Sequence, residues 1–316
     1  MVIAVAMQNP FLPGLKYLAE GGQETELMYG HGFSLPHFAM FPLLDDDSAV
    51  KCLTSLYQAV LDVAVRHRMG VVLGGLDYRA SPDWAGLLGI DRASLAAYQD
   101  RSIAFLRDVA APYRTQLPHV LISGIVGPQG DAYHRNVTAT QASAESYHTA
   151  QIANLAAAGV DLVQAMTLTS TEEAIGIIRA ARASGLPIIA SFLADRSDSH
   201  NGTSSLRGII ERVDAETDGY ATFFGVNCSH PLEFEPLLDE PGDWITRVGL
   251  LRPNASARDK VELCQIGHLE RGDPKELASA MGRLSRRLPN VVVWGGCCGT
   301  WDEHLELIAG AIATDT

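Results

Sequence analysis

Residues 161–193 read DLVQAMTLTSTEEAIGIIRAARASGLPIIASFL. Two short apolar runs, DLVQAM (161–166) and PIIASFL (187–193), flank TEEAIGIIRAARASG (171–185), whose apolar residues recur at helical spacing. Ser170 stands where a helix N-cap is wanted. Glu172 and Glu173 fall in the first turn, where negative charge meets the positive end of the helix dipole. Gly185, followed by Leu186-Pro187, is the matching stop. Neither apolar run alternates cleanly with polar residues, so both faces of each strand are covered, as happens when crossover helices pack on a parallel sheet. The stretch therefore predicts a strand–helix–strand unit with parallel strands.

The same alternation extends in both directions. Apolar runs recur at 15–22, 70–75, 119–127, 161–166, 187–193, 221–228, 245–254 and 290–296. Helical patterns stand out at 48–68, 139–159, 171–185 and 273–288, and the last apolar run is followed by another at 300–313. Eight strand candidates, each followed by helical or loop-like sequence, predict an α/β fold, a single (β/α)8 TIM-type barrel. A doubly wound open sheet is the alternative, weakened in its dinucleotide-binding form because no G-x-G-x-x-G follows the first run. No linker or composition break divides the chain, so residues 1–316 are read as one domain.

The chain has 316 residues and a formal net charge of −13, with its Lys and Arg scattered. Nucleic acid and anionic membranes require a basic stripe, so neither is expected as a partner. No apolar run reaches the roughly 18 residues of a membrane span, and the start lacks the basic region of a signal peptide. A cytoplasmic location is expected; the oligomeric state stays open.

Five cysteines in a chain of this length do not make a disulfide framework. Two of them are adjacent, in VVVWGGCCGT (291–300), where they are badly placed to bridge each other. Cys228 ends the run ATFFGVNC (221–228). In a barrel, Cys228, Cys297 and Cys298 all fall at the C-terminal ends of strands, on the face where active sites are built. Side chains alternate along a regular strand, so adjacent cysteines reach one point only if Gly295 and Gly296 let the backbone turn. Three thiolates with one open position suit a catalytic Zn2+ site, and this is the expected cofactor. The alternative is inert buried cysteines, the reading adopted for Cys52 and Cys264. His230 and His304 are read as structural.

GVNC followed downstream by GGCCGT resembles the zinc-dependent homocysteine S-methyltransferase family. EGGQETEL (20–27), SGIVGPQGDAY (123–133), AAAGVDLVQAMT (156–167) and CCGTWDEHLELI (297–308) carry the resemblance over almost the whole chain. It implies a barrel with zinc held by Cys228, Cys297 and Cys298. It also implies transfer of a methyl group from S-methylmethionine, S-adenosylmethionine or betaine to a thiol, homocysteine first among acceptors. There is no room for separate folate or corrinoid domains. A zinc hydrolase and a non-catalytic metal or thiol binder are the rivals, and a different thiol acceptor is the closer alternative.

The chain departs from the family pattern where the acceptor's amino-acid end is expected. Glu20 replaces an aspartate, Met166 a glutamate, and Leu76 an asparagine. Asp77 or Glu24 is the expected replacement for the lost carboxylate. Asn227 is expected to shape the loop before Cys228, and Asn254 to do similar work. Tyr78 and Arg79 are candidate pocket residues. Residues 29–46 are read as a lid or an interface, and 195–203 as a polar surface loop.

Overall fold

The computed structural model describes residues 9–132, 139–194, 205–258, 262–263 and 266–313. Eight parallel strands close into a barrel in sequence order: β1 (Tyr17–Ala19), β2 (Gly70–Gly74), β3 (Val120–Val126), β4 (Leu162–Leu168), β5 (Ile188–Phe192), β6 (Phe223–Asn227), β7 (Val248–Arg252) and β8 (Val293–Trp294). The ring is sealed where Tyr17 and Leu18 pair with Val293 and Trp294. Every strand lies within its expected run, except that β4 continues two residues further, to Leu168.

The outer layer includes α1 (Asp47–His67), α2 (Arg92–Ala110), α3 (Gln141–Ala157), α4 (Thr171–Ala183), α5 (Leu206–Glu216), the short α6 (Pro231–Phe234), α7 (Pro274–Arg287) and α8 (Asp302–Ala313), and a further short helix, Pro82–Leu87, follows β2. Ser170 caps α4, its hydroxyl accepting from the Glu173 N–H at 3.3 Å. Gly185 follows with φ +69°, as a left-handed stop requires. Helix α1 is long and apolar enough to cross a membrane by length and composition. In the barrel, its Leu53, Tyr57, Val60, Leu61 and Ala64 are buried in the shell between helices and sheet.

Strand alternation divides the barrel interior into layers. Tyr17, Val72, Leu121, Leu162, Ile189, Leu250 and Val293 form an apolar lower layer, closed below by Phe11. Two residues further along four of these strands, on the same inward face, stand Ser123, Gln164, Ser191 and Arg252. These groups are buried, so each needs a partner. Gln164 Nε2 donates to Ser123 Oγ at 2.6 Å, Ser123 Oγ to the Leu73 carbonyl at 3.1 Å, and Ser191 Oγ to Asn227 Oδ1 at 2.8 Å. Of these four, Arg252 also lines a cavity at the C-terminal mouth.

Candidate active site at the barrel mouth

The cavity measures about 320 Å³ and is walled by the end of β4 and by the loops after β1, β2, β3, β6, β7 and β8. Cys228, Cys297 and Cys298 line it, and their sulfurs lie within 4.8 Å of one another. Among the described residues, no histidine or carboxylate joins that group.

Two local devices bring the sulfurs together. Cys228 adopts φ +53°, a left-handed backbone that a non-glycine residue takes only when its surroundings impose it. Its carbonyl accepts from Asn254 Nδ2 at 3.0 Å, and its N–H donates to the Arg252 carbonyl at 3.2 Å. On the β8 side the chain makes a tight turn from Cys297 to Thr300, closed by Thr300 N and Oγ1 on the Cys297 carbonyl at 3.0 and 2.6 Å. The residue with positive φ there is Gly299 (+78°), not Gly295 or Gly296. Those two glycines are required by close approach instead: a Cβ on Gly295 would sit 3.0 Å from Ala19 Cβ, and one on Gly296 would sit 2.7 Å from Thr300 Cβ.

Cys228 and Cys297 are joined as a disulfide, with Cα atoms 5.4 Å apart. The adjacent Cys297 and Cys298 do not bridge each other; the pair joins the ends of strands β6 and β8, which the barrel brings together. Cys298 stays outside the bridge, its Sγ 3.9 Å from Cys228 Sγ. Zinc–sulfur bonds of about 2.3 Å in a tetrahedron place sulfurs about 3.8 Å apart. The Cys228–Cys298 spacing already meets that requirement, so the reduced donor set fits a zinc ion with one position open.

Glu20 lies on the floor with both carboxylate oxygens committed. Oε1 pairs with Arg252 Nη1 at 2.8 Å, and Oε2 accepts from the Gly74 N–H at 3.0 Å. Arg252 further donates to the carbonyls of Gly296 and Glu20 at 3.0 and 3.1 Å. One buried ion pair thus ties together the ends of β1, β2, β7 and β8. Arg252 was missed in the sequence reading, although an arginine ending an apolar strand run is the signal that would have found it.

Met166 lines the cavity beside Ile125, leaving that wall uncharged. Asn227 lines it too, but its Oδ1 accepts from Thr167 N–H at 2.9 Å and from Ser191 Oγ rather than from a sulfur. Thr167 is left-handed (φ +57°), and its hydroxyl meets Tyr78 Oη at 2.5 Å. Burial pushes the Tyr78 phenol up to about 12. Glu24 and Arg79 line the cavity, whereas Asp77 does not. Its carboxylate turns back toward α2, accepting from Ser102 Oγ at 3.2 Å while Oδ1 has no partner, and burial raises its pKa to about 8. Leu76 is buried in the outer shell.

The two histidines are spent elsewhere. His230 caps α6, accepting from Leu232 N–H at 3.2 Å, and His304 contacts the Arg271 carbonyl at 2.8 Å. Tyr29 and Phe38, from the 29–46 stretch, join the cavity wall while Leu35, Met40 and Phe41 are buried beneath. Cys52 packs against the outer core. Cys264 and the 195–203 loop lie outside the described residues.

A parallel eight-stranded barrel with three cysteine sulfurs gathered in a cavity at its C-terminal mouth has the architecture of a barrel enzyme. The homocysteine S-methyltransferase family model matches residues 72–312, so the chain belongs to that family and is a methyltransferase. Among solved structures it is similar to the homocysteine methyltransferase MmuM from Escherichia coli in three forms. The oxidized form gives a TM-score of 0.74 at 21% identity, covering 96% of this chain and 99% of that one. The metallated form gives 0.71 at 20% identity over 96% and 99%, and the apo form 0.66 at 20% over 96% and 100%. At these identities the likeness concerns the fold. No curated protein matches the chain in sequence.

Proposed function

We propose that the chain, acting as one domain, is a zinc-dependent S-methyltransferase that moves a methyl group from a small onium donor to the sulfur of homocysteine. The observation that carries this reading is the convergence of three cysteine sulfurs, without histidine or carboxylate, on the cavity. Hydrolytic zinc sites typically use histidine and carboxylate ligands, so the donor set speaks against a hydrolase.

Cys228, Cys297 and Cys298 would hold the metal once the Cys228–Cys297 bridge is reduced, which favours a reducing compartment such as the cytoplasm. Zinc bound there would keep the acceptor thiol deprotonated at neutral pH, where a free thiol, with a pKa of about 8.5, is mostly protonated. The surrounding residues supply position and exclusion of water. Met166, Ile125 and the Tyr78 ring line the cavity, while the Glu20–Arg252 pair fixes the turn that carries Cys297. In the transfer the acceptor sulfur forms the new S–CH3 bond as the donor's C–S+ or C–N+ bond breaks. The donor leaves neutral at that centre, and the thiol proton has gone to solvent.

Proton NMR of reduced, zinc-loaded protein with S-methylmethionine and homocysteine tests this, in parallel with a Cys298→Ala sample. Methionine formed only by the intact protein supports the reading. A fully zinc-loaded protein that leaves homocysteine untouched with S-methylmethionine, betaine and S-adenosylmethionine overturns the acceptor assignment.

A further inference from the structure

Four carboxylates line the cavity: Glu20, Glu24, Asp131 and Glu270. Glu20 is bound on both oxygens, Glu270 pairs with Arg258 at 3.6 Å and His268 at 3.8 Å, and Asp131 also has an interaction partner. Glu24 alone has no side-chain partner among the described residues. It sits partly buried on the turn after β1, beside Glu20. Burial pushes its pKa above the ordinary carboxylate range, against the lowering pull of its own backbone N–H and of Arg252 and Arg79.

Arg79 projects into the same cavity from the loop after β2. Its guanidinium lies over the rings of Trp84 and Tyr78, 4.3 and 5.1 Å from their centroids. One N–H donates to the Gly130 carbonyl, and Nε is buried with no partner. Glu24 and Arg79 form no ion pair with each other. Opposite charges that face one cavity and do not bridge leave room for a ligand carrying both. On the β3–β4 wall, the side chains of Ile125 and Met166 offer an ammonium nothing.

We propose, on the premise that this cavity is the methyl-transfer site, that Glu24 is the specificity residue that receives the α-ammonium group of an amino-acid substrate. An ammonium supplies the hydrogen-bond donors that a carboxylate withdrawn from water lacks. A direct role at the onium centre is disfavoured, because an anion there stabilises the charge that the reaction destroys. The ammonium belongs either to the acceptor or to a donor such as S-methylmethionine.

The test is Glu24→Gln, near-isosteric and still able to accept from its own backbone N–H, read by calorimetric binding to the reduced zinc form and by KM. Homocysteine binding falls about 10- to 100-fold, the loss of one charge-assisted contact. Binding of 4-mercaptobutanoate, which lacks the amino group, changes by less than about twofold. If instead S-methylmethionine weakens while homocysteine does not, the ammonium is the donor's, and the assignment of Glu24 stands. Unchanged binding of both, equal weakening of homocysteine and 4-mercaptobutanoate, or no binding of either amino acid by the parent protein overturns it. Wild-type binding lost in E24Q without any methyl transfer by the parent refutes the proposed reaction and leaves the role of Glu24 intact.

Discussion

Replacing Arg252 by alanine strips the floor of the site of its only guanidinium contact to Glu20. Three interactions vanish together: 2.8 Å to the carboxylate, 3.1 Å to the Glu20 carbonyl and 3.0 Å to the Gly296 carbonyl. Glu20 is 2% exposed, so its charge is left almost wholly out of bulk water. Breaking a buried pair by removing one partner costs about 3–5 kcal/mol. The Gly74 N–H still satisfies Oε2, so the lower end, about 3 kcal/mol, is expected. At roughly 2 °C per kcal/mol for a chain of this size, the melting temperature falls by about 6 °C. Urea unfolding followed by circular dichroism measures the loss. Glu20→Gln combined with Arg252→Met removes the orphaned charge and recovers about 2 kcal/mol of it. A loss below about 1 kcal/mol in R252A, or a double variant no better than R252A, would refute the claim that this pair holds the strand ends together.

Gly22→Ala pushes a Cβ to 2.6 Å from the Cys297 carbonyl and 2.9 Å from Cys298 Cα, both backbone atoms. Overpacking of about 1–3 kcal/mol translates into zinc binding weaker by about 5- to 150-fold, measured by chelator competition; unchanged affinity contradicts the close approach. For Asp77, the folded pKa of about 8 lies above its ordinary 3.8, so between those values the folded state holds the extra proton and stability falls as pH rises. Asp77→Asn removes that loss, and the variant exceeds the parent by at least about 1 kcal/mol at pH 9 in urea unfolding while differing less at pH 5. Parallel pH profiles for the two proteins sink this account.

The strand pattern was legible because parallel barrel strands are covered on both faces and so read as plain apolar runs. Helix α2 was not named from sequence: its inward face carries Gln99 and Ser102, which break the apolar stripe. The three cysteines stood out by residue type and by their place at strand ends. Their partners were harder to find. Asp77 looked like a pocket acid from its position after β2, yet its side chain folds back onto Ser102, a contact 25 residues away. Glu20 read as an available carboxylate because its partner Arg252 lies on the far side of the chain and is brought near only by closure of the ring.

That closure gives the sulfur cluster a second meaning. Gly21 and Gly22 press against Thr300, Cys297 and Cys298 at the seam where β1 meets β8, the strand pair most distant in sequence. Contacts of such long range form late, since the intervening chain must first be gathered in. Cys297 and Cys298 come up to Cys228 as β8 pairs with β7 and β7 with β6, and the turn after β1 packs against them when the first and last strands meet. The cluster is therefore a natural clock for the end of folding: how fast these thiols become shielded from a labelling reagent times the moment when the ring shuts.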